Sequence, residues 1–256
     1  MKSSNRDDYQ QIPQRVGAMP REFEKGFYNA PHVHERAQLI YASPGVMEVR
    51  AVARQWVLSP ETALLIPAGV THEMTALSAV SLRTLYIAAE RPGHRAPDEV
   101  TLIQITPLLK ELILEAVSLP MAYDEGSVAG KIMDIILHEM DQHRAENFTL
   151  PTPKDDKLIL VEREIMSDHA LLKAPIEYWT SHLHFSEKTL NRLIQKELGI
   201  NFRLWKQCLA VKIGLVMLAE HQSPTQIAYE LGYSSLSGFS KMFKKITGRP
   251  PSGFPL

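Results

Sequence analysis

Two stretches near the end of the chain repeat one plan, and this repeat constrains the fold more than any other feature. In APIEYWTSHLHFSEKTLNRLIQKELG, residues 174 to 199, Pro175 starts a short helix, His184 and Phe185 make a turn, and Ser186 caps a second helix. The second helix carries Leu190, Leu193, Ile194 and Leu198 on one face. In SPTQIAYELGYSSLSGFSKMFKKITG, residues 223 to 248, Ser223 caps, Pro224 starts, Gly232 breaks, and Ser234 or Ser235 caps again ahead of a Phe239, Phe243 and Ile246 stripe. Proline at a first helical position and serine at an N-cap are each favoured physically. The spacing predicts tandem helix-turn-helix units in an all-α region over 157–256.

Such a pair has a mechanical use. An α-helix fits the major groove of B-DNA, and the 202–221 segment between the units spans roughly 30 Å if helical. Two reading helices held about one DNA turn apart, roughly 34 Å, can enter successive grooves without a palindromic site. Charge agrees with this: residues 157–256 hold 13 Lys and Arg against 8 Asp and Glu, whereas the rest of the chain holds 15 against 21. A basic module joined to an acidic one points to a polyanionic partner, and the helix spacing to double-stranded DNA.

Residues 157–254 resemble the DNA-binding domain of the AraC/XylS family of transcription regulators. The resemblance is carried by SEKTLNRLIQKELG (186–199), by NFRLWKQ with Trp205, and above all by QIAYELGYSSLSGFSKMFKKITGRPPSGF. It implies base-reading positions at Lys188, Asn191 and Arg192 on the first helix, and at Leu236, Ser237, Ser240 and Lys241 on the second. Periodicity sends Leu236 to the core, although a thymine-methyl contact stays open to it. The chain departs from the family at Ala210, where Arg is usual, and at Gly214, where Ala is usual. With Gly238 also weakening the second helix, the second unit is expected to contribute phosphate contacts more than base readout.

Upstream, NFTLPTPKDD (147–156) has two prolines and no periodicity and reads as a linker. Residues 37–88 are rich in Val, Leu, Ile, Tyr and Thr and are broken at Ser43-Pro44-Gly45, Ser59-Pro60 and Pro67-Ala68-Gly69, which predicts short strands separated by turns. Two helical patterns follow, Glu99 to Ser118 and Val128 to His143. Their apolar stripes suit either self-association as a homodimer or packing on the chain's own β domain.

His32-x-His34, Gln38 and Gly45, followed by Pro67-x-Gly69-x-x-His72, resemble the two cupin motifs, with Gln38 in place of a glutamate. The resemblance implies a cupin-type sensor barrel over about 23–90. Residues two apart on a strand face one way, so His32 and His34 project together, and Gln38 joins them if the strand continues. Three imidazoles suit Zn, Ni, Fe or Cu, while the neutral Gln38 oxygen is a weak ligand. Sensor barrels also keep this motif for fold reasons and use the cavity for an organic effector, so both readings stand at this point.

Together these features predict a two-domain α+β fold. Residues 1–146 would form a cupin-like barrel with flanking helices that senses a small molecule or a metal. Residues 147–156 would form a linker and residues 157–256 the DNA-binding domain. The function expected is a sequence-specific transcription regulator, which contacts RNA polymerase if it activates, and not an enzyme. A metal-dependent cupin enzyme with a DNA-binding tail is the alternative, but no acid/base pair or nucleophile stands near the histidines. A third reading is an effector-independent repressor whose barrel only dimerises. Residues 1–10, MKSSNRDDYQ, are polar where a secretory signal would be apolar, and no stretch approaches the roughly 20 apolar residues of a membrane span. A lone cysteine, Cys208, sits in an apolar helical run. A cytoplasmic protein is expected, with no membrane partner.

Overall fold

The computed structural model describes residue 3 and residues 5–52, 54–89, 98–144 and 150–254. It divides into two compact units, 1–148 and 149–256. In the first unit a five-stranded antiparallel sheet has the order β1 (Val16–Phe23), β8 (Val80–Ile87), β3 (Ala37–Ala42), β6 (Thr62–Ile66) and β9 (Thr101–Gln104). A four-stranded sheet has the order β2 (Tyr28–His32), β7 (His72–Ala76), β4 (Met47–Ala51) and β5 (Arg54–Leu58).

The five-stranded sheet is buried on both faces, which is why β3, AQLIYA, is buried at every position and is apolar apart from Gln38. One face, with Ile40, Leu64, Ile66 and Leu82, meets Met47, Val49, Trp56 and Met74 of the other sheet. The opposite face, with Leu39, Leu65, Leu85 and Ile103, is covered by Leu109 and Ile113 of α1 (Pro107–Ala116) and Met133, Ile136 and Met140 of α2 (Val128–Gln142). The apolar stripes of these helices are therefore used within the unit. Leu108, Val128 and Ile135 stay exposed.

Two expectations change here. The segment predicted as one helix from Glu99 to Ser118 opens instead with β9, paired to β6, and the helix starts only at Pro107, behind the Thr106 cap. The sheets also begin before residue 23, because β1 pairs with β8 along its whole length. At the β3–β4 turn Gly45 has φ +112°, and a side chain there would collide with the carbonyl oxygen of Ala79, so the motif's glycine is required by backbone geometry.

Arg36, 8% exposed, anchors the chain start. Its guanidinium donates to the backbone carbonyls of Gln10, Gln14 and Ile12, and Gln10 Oε1 accepts from the backbone N–H groups of Glu35 and Arg36.

The second unit is helical: α3 (Asp156–Ser167), α4 (Ile176–Leu183), α5 (Glu187–Leu198), α6 (Phe202–Ala219), α7 (Pro224–Glu230) and α8 (Leu236–Thr247). Asp155, at the end of the predicted linker, accepts from Lys157 N and caps α3; residues 147–149 of that linker lie outside the described residues. The long α6 is buried along most of its length, including Cys208. Its Lys212, 4% exposed, donates to Glu162 of α3 at 3.0 Å. Breaking such a buried pair on one side typically costs about 3–5 kcal/mol, because the remaining charge is stranded. At Gly214 a Cβ would lie 3.3 Å from Phe239 and 3.4 Å from Phe243, so the missing methyl lets α6 approach α8 closely.

Candidate functional site

The histidines of the two barrel motifs come together, but not because one strand carries them. His32 ends β2 and pairs in register with His72 at the start of β7, after a bulge between Asn29 and His32. His34 lies beyond β2, in the connection to β3, and Gln38 sits on β3 in the other sheet. The expected strand running through to Gln38 is replaced by a crossing between sheets. Gly69, with φ +76°, donates its N–H to the His34 carbonyl at 2.9 Å, which ties the second motif's turn to the first motif.

One nitrogen from each of His32, His34 and His72 lies within 4.8 Å of the other two. His34 and His72 are 6% and 2% exposed. Burial depresses their pKa to about 3 and about 4, with neighbouring histidines and Arg6 adding to the effect and Gln38 opposing it at His34, and burial lowers His32 as well. All three rings are therefore neutral near pH 7, the state in which imidazole is a ligand.

The hydrogen bonds fix which atoms face inward. Thr84 Oγ1 donates to the Leu39 carbonyl at 2.9 Å, so it accepts from Gln38 Nε2 at 2.9 Å. This turns Gln38 Oε1 toward His72 Nε2, 2.9 Å away, while His72 Nδ1 lies 3.0 Å from the Val70 carbonyl. A neutral imidazole has one N–H. Given to Val70, it leaves the Nε2 lone pair against the lone pairs of Gln38 Oε1; given to Gln38, it leaves Nδ1 against the Val70 carbonyl. Either arrangement sets two acceptors together in a buried site, and a cation shared by Nε2 and Oε1 removes the conflict.

His32 Nδ1 is likewise bound to the Ala30 carbonyl at 2.7 Å, leaving Nε2 with a 3.4 Å contact to the Asn29 amide. His34 Nε2 is buried with no hydrogen-bond partner. A backbone carbonyl behind each of two rings is the second-layer arrangement that orients metal-binding histidines. The donor set fits a divalent transition metal.

In the second unit α5 and α8 present the sequence-predicted reading positions. Lys188, Asn191 and Arg192 are exposed on α5, opposite the buried Leu190, Ile194 and Leu198. Ser237 and Lys241 are exposed and Ser240 is half-buried on α8, opposite Phe239, Met242 and Phe243. Leu236 is 38% exposed. Periodicity placed it in the core, but as the first residue of α8 it lies at the helix end, and it remains available to a thymine methyl.

Both helices start on a serine cap: Ser186 Oγ accepts from Thr189 N at 3.1 Å and Ser235 Oγ from Gly238 N at 3.2 Å. Because Gly238 gives α8 little intrinsic stability, Ser235→Ala is expected to cost about 1 kcal/mol. Urea denaturation of the full chain measures it, and an unchanged midpoint would show that the cap carries no energy.

Sequence reasoning missed the pocket beside the histidines, which Arg6, Arg21, Phe23, Phe27 and Tyr86 line along with His32 and Gln38. The one available signal was the alternation of Met19, Arg21 and Phe23, hidden in a segment not recognised as a strand.

Residues 22–113 match the model of the AraC-like ligand binding domain, and residues 179–255 match a helix-turn-helix domain model. The chain is 29% identical over 229 residues to the HTH-type transcriptional regulator NimR of Escherichia coli (strain K12), spanning 87% of this chain and 81% of that protein. It is 26% identical over 164 residues to the arabinose operon regulatory protein of the same organism, spanning 63% of this chain and 54% of that protein. Among solved structures, ToxT from Vibrio cholerae aligns over 93% of this chain and 97% of its own, at 14% identity and a TM-score of 0.38. With an AraC-like ligand-binding domain ahead of a helix-turn-helix domain, and transcription regulators as relatives along most of its length, the chain belongs to the AraC/XylS family of DNA-binding transcription regulators.

Proposed function

We propose that the barrel holds a divalent transition metal on His32, His34 and His72 with Gln38 Oε1 turned to it, and that the state of this pocket sets how the regulator engages promoter DNA. The observation that carries the metal is the meeting of Gln38 Oε1 and His72 Nε2 at 2.9 Å, beside the partnerless His34 Nε2. The metal supplies a Lewis-acidic point that an effector can bind. This chain's own residues orient it: Ala30 and Val70 hold two rings, and Thr84 holds the amide. An effector acts only by binding two conformations unequally, so a regulated state requires that ligand and DNA binding be linked.

On the DNA side, Lys188, Asn191 and Arg192 of α5 and Ser237, Ser240 and Lys241 of α8 are the proposed contacts. Arg and Asn reach guanine and adenine edges, whereas Lys241 beside two short serines suits the phosphate backbone. A homodimer remains part of the reading through Leu108, Val128 and Ile135, although the buried stripes of α1 and α2 are committed to their own sheet.

Gel shifts with the DNA flanking the chain's own gene test this reading, using metal-loaded and chelator-treated protein over a salt series. Specific binding that weakens steeply with salt and changes on chelation is expected. Equal affinity for random DNA would remove the DNA reading; indifference to chelation would remove the metal's part in regulation.

A further inference from the structure

The reading positions on α5 and α8 leave one stretch of the DNA without a contact. Two helices in successive major grooves on one side of a duplex have the minor groove between them, edged by two phosphate strands. Those strands run past whatever joins the two helices. Here that is α6, which starts at Phe202 after only Gly199, Ile200 and Asn201 have followed the end of α5.

An open groove of about 320 Å³ lies at this place, lined by Asn201, Arg203, Leu204 and Gln207 at the start of α6 and by Lys245 of α8. Lys245 stands four residues beyond Lys241 and eight beyond Ser237. At about 100° per residue this turns it only about 40° and 80° away from them, so the groove continues the outward face of α8. Its other end follows directly on α5.

The groove offers donors. Arg203 and Lys245 are exposed, and neither is in an ion pair among the described residues. Asn201 Oδ1 is engaged by the Leu204 N–H at 2.8 Å as the cap of α6, so its amide nitrogen remains a donor. No Asp or Glu lines this groove, nor the adjoining one of about 340 Å³ that shares Arg203 and Gln207 and adds Lys173 and Lys206. The Lys206 ammonium is held by the Ala174 carbonyl at 2.9 Å, which leaves Lys173, Arg203 and Lys245 to face solvent. Phosphate oxygens accept hydrogen bonds and carry negative charge; a guanidinium matches them as a fork and an ammonium as a point charge.

On the DNA contacts proposed above, on which this step rests, we infer that α6 is a third DNA-contacting element: Arg203 and Lys245 bind phosphates of the backbone that crosses between the two half-sites, and read no base. The occupant is a duplex backbone and not a free anion, because the groove is open along a surface that runs from one reading helix to the other.

Gel shifts of the full chain over a salt series test this with Arg203→Gln, Lys245→Gln and the double variant, on the DNA flanking the chain's own gene and on a random-sequence duplex. One phosphate contact adds about 0.9 to the slope of log affinity against log salt, so the loss of affinity between about 50 and 200 mM salt should shrink about 3.5-fold in each single variant. Both duplexes should be affected alike, which leaves their affinity ratio and the melting temperature unchanged, and Arg203→Lys should restore the wild-type slope. Methylphosphonate linkages in the spacer between the half-sites remove those charges from the DNA. They should weaken wild type and leave the double variant unaffected.

The inference is overturned if either single variant keeps the wild-type slope, if the affinity ratio collapses as for a base reader, or if the spacer methylphosphonates weaken the double variant as much as wild type. It is also overturned if inorganic phosphate binds saturably to the DNA-free chain and Arg203→Gln abolishes that binding, which makes the groove a small-anion site. A wild-type chain that binds neither duplex removes the DNA contacts proposed above and this one with them. A wild-type chain that binds while the variants keep its slope removes this contact alone.

Discussion

If the proposed centre holds a metal, His34→Ala is expected to abolish its binding while leaving both units folded. Altering groups that merely stand behind a metal ligand costs 10–100-fold in affinity, so losing a ligand itself should cost more than about 100-fold. The fold should tolerate the change because two effects oppose each other. The imidazole is buried against Tyr86, His32 and His72, and its removal leaves a void. Its Nε2 makes no hydrogen bond, however, and leaving a polar atom buried and unpartnered costs about 1–3 kcal/mol, which the substitution relieves. Metal-free wild type and metal-free His34→Ala should therefore melt close together, while added metal should raise the melting temperature of wild type alone. Elemental analysis of untagged protein with calorimetry in metal and in chelator gives both numbers. Stoichiometric metal retained by His34→Ala would show that the three-histidine centre is wrongly drawn.

The residues forming this centre were legible in the sequence, and the reason they meet was not. Spacing singled out His32, His34, Gln38 and His72, and alternation along one strand was the physical explanation available. In the structure the four reach one place from two sheets, through a bulge before His32 and the tie from Gly69 N to the His34 carbonyl. Long-range pairing of this kind leaves no mark in a local window. β1 shows the same limit: VGAMPREF contains Pro20 and a mixed polar end, and reads poorly as a strand. It is nevertheless one, because it lies at the sheet edge, where a proline is tolerated. With β1 unseen, Arg21 and Phe23 were unseen too. β9 is only four residues long, and its Leu102 and Ile103 merged into the helical spacing that follows. The helical unit was easier to read, because caps such as Ser186, Ser223 and Ser235 and stops such as Gly199 and Gly248 act within a few residues of themselves.

On the DNA side, Arg192→Ala and Lys241→Ala are expected to separate base readout from backbone attachment. α5 turns Leu190, Ile194 and Leu198 inward, so Arg192 stands on the outer face with Lys188 and Asn191, on a helix held at its start by Ser186. A long forked donor there is suited to a guanine edge; its loss should cost about 1–3 kcal/mol on the cognate site and relax the preference at one position. α8 differs in chemistry. Its outward residues near the start are Leu236, Ser237 and Ser240, short or apolar, with Lys241 following. Lys241, with Lys244 and Lys245 exposed further along α8, offers point charges for phosphate, so Lys241→Ala should weaken cognate and random DNA alike and reduce the salt slope by about one. Competition gel shifts against single-base variants of the site, repeated over a salt series, distinguish the two. If Arg192→Ala weakens every sequence equally, α5 holds the backbone and base reading must come from elsewhere in the unit, with Leu236 on a thymine methyl the next residue to change.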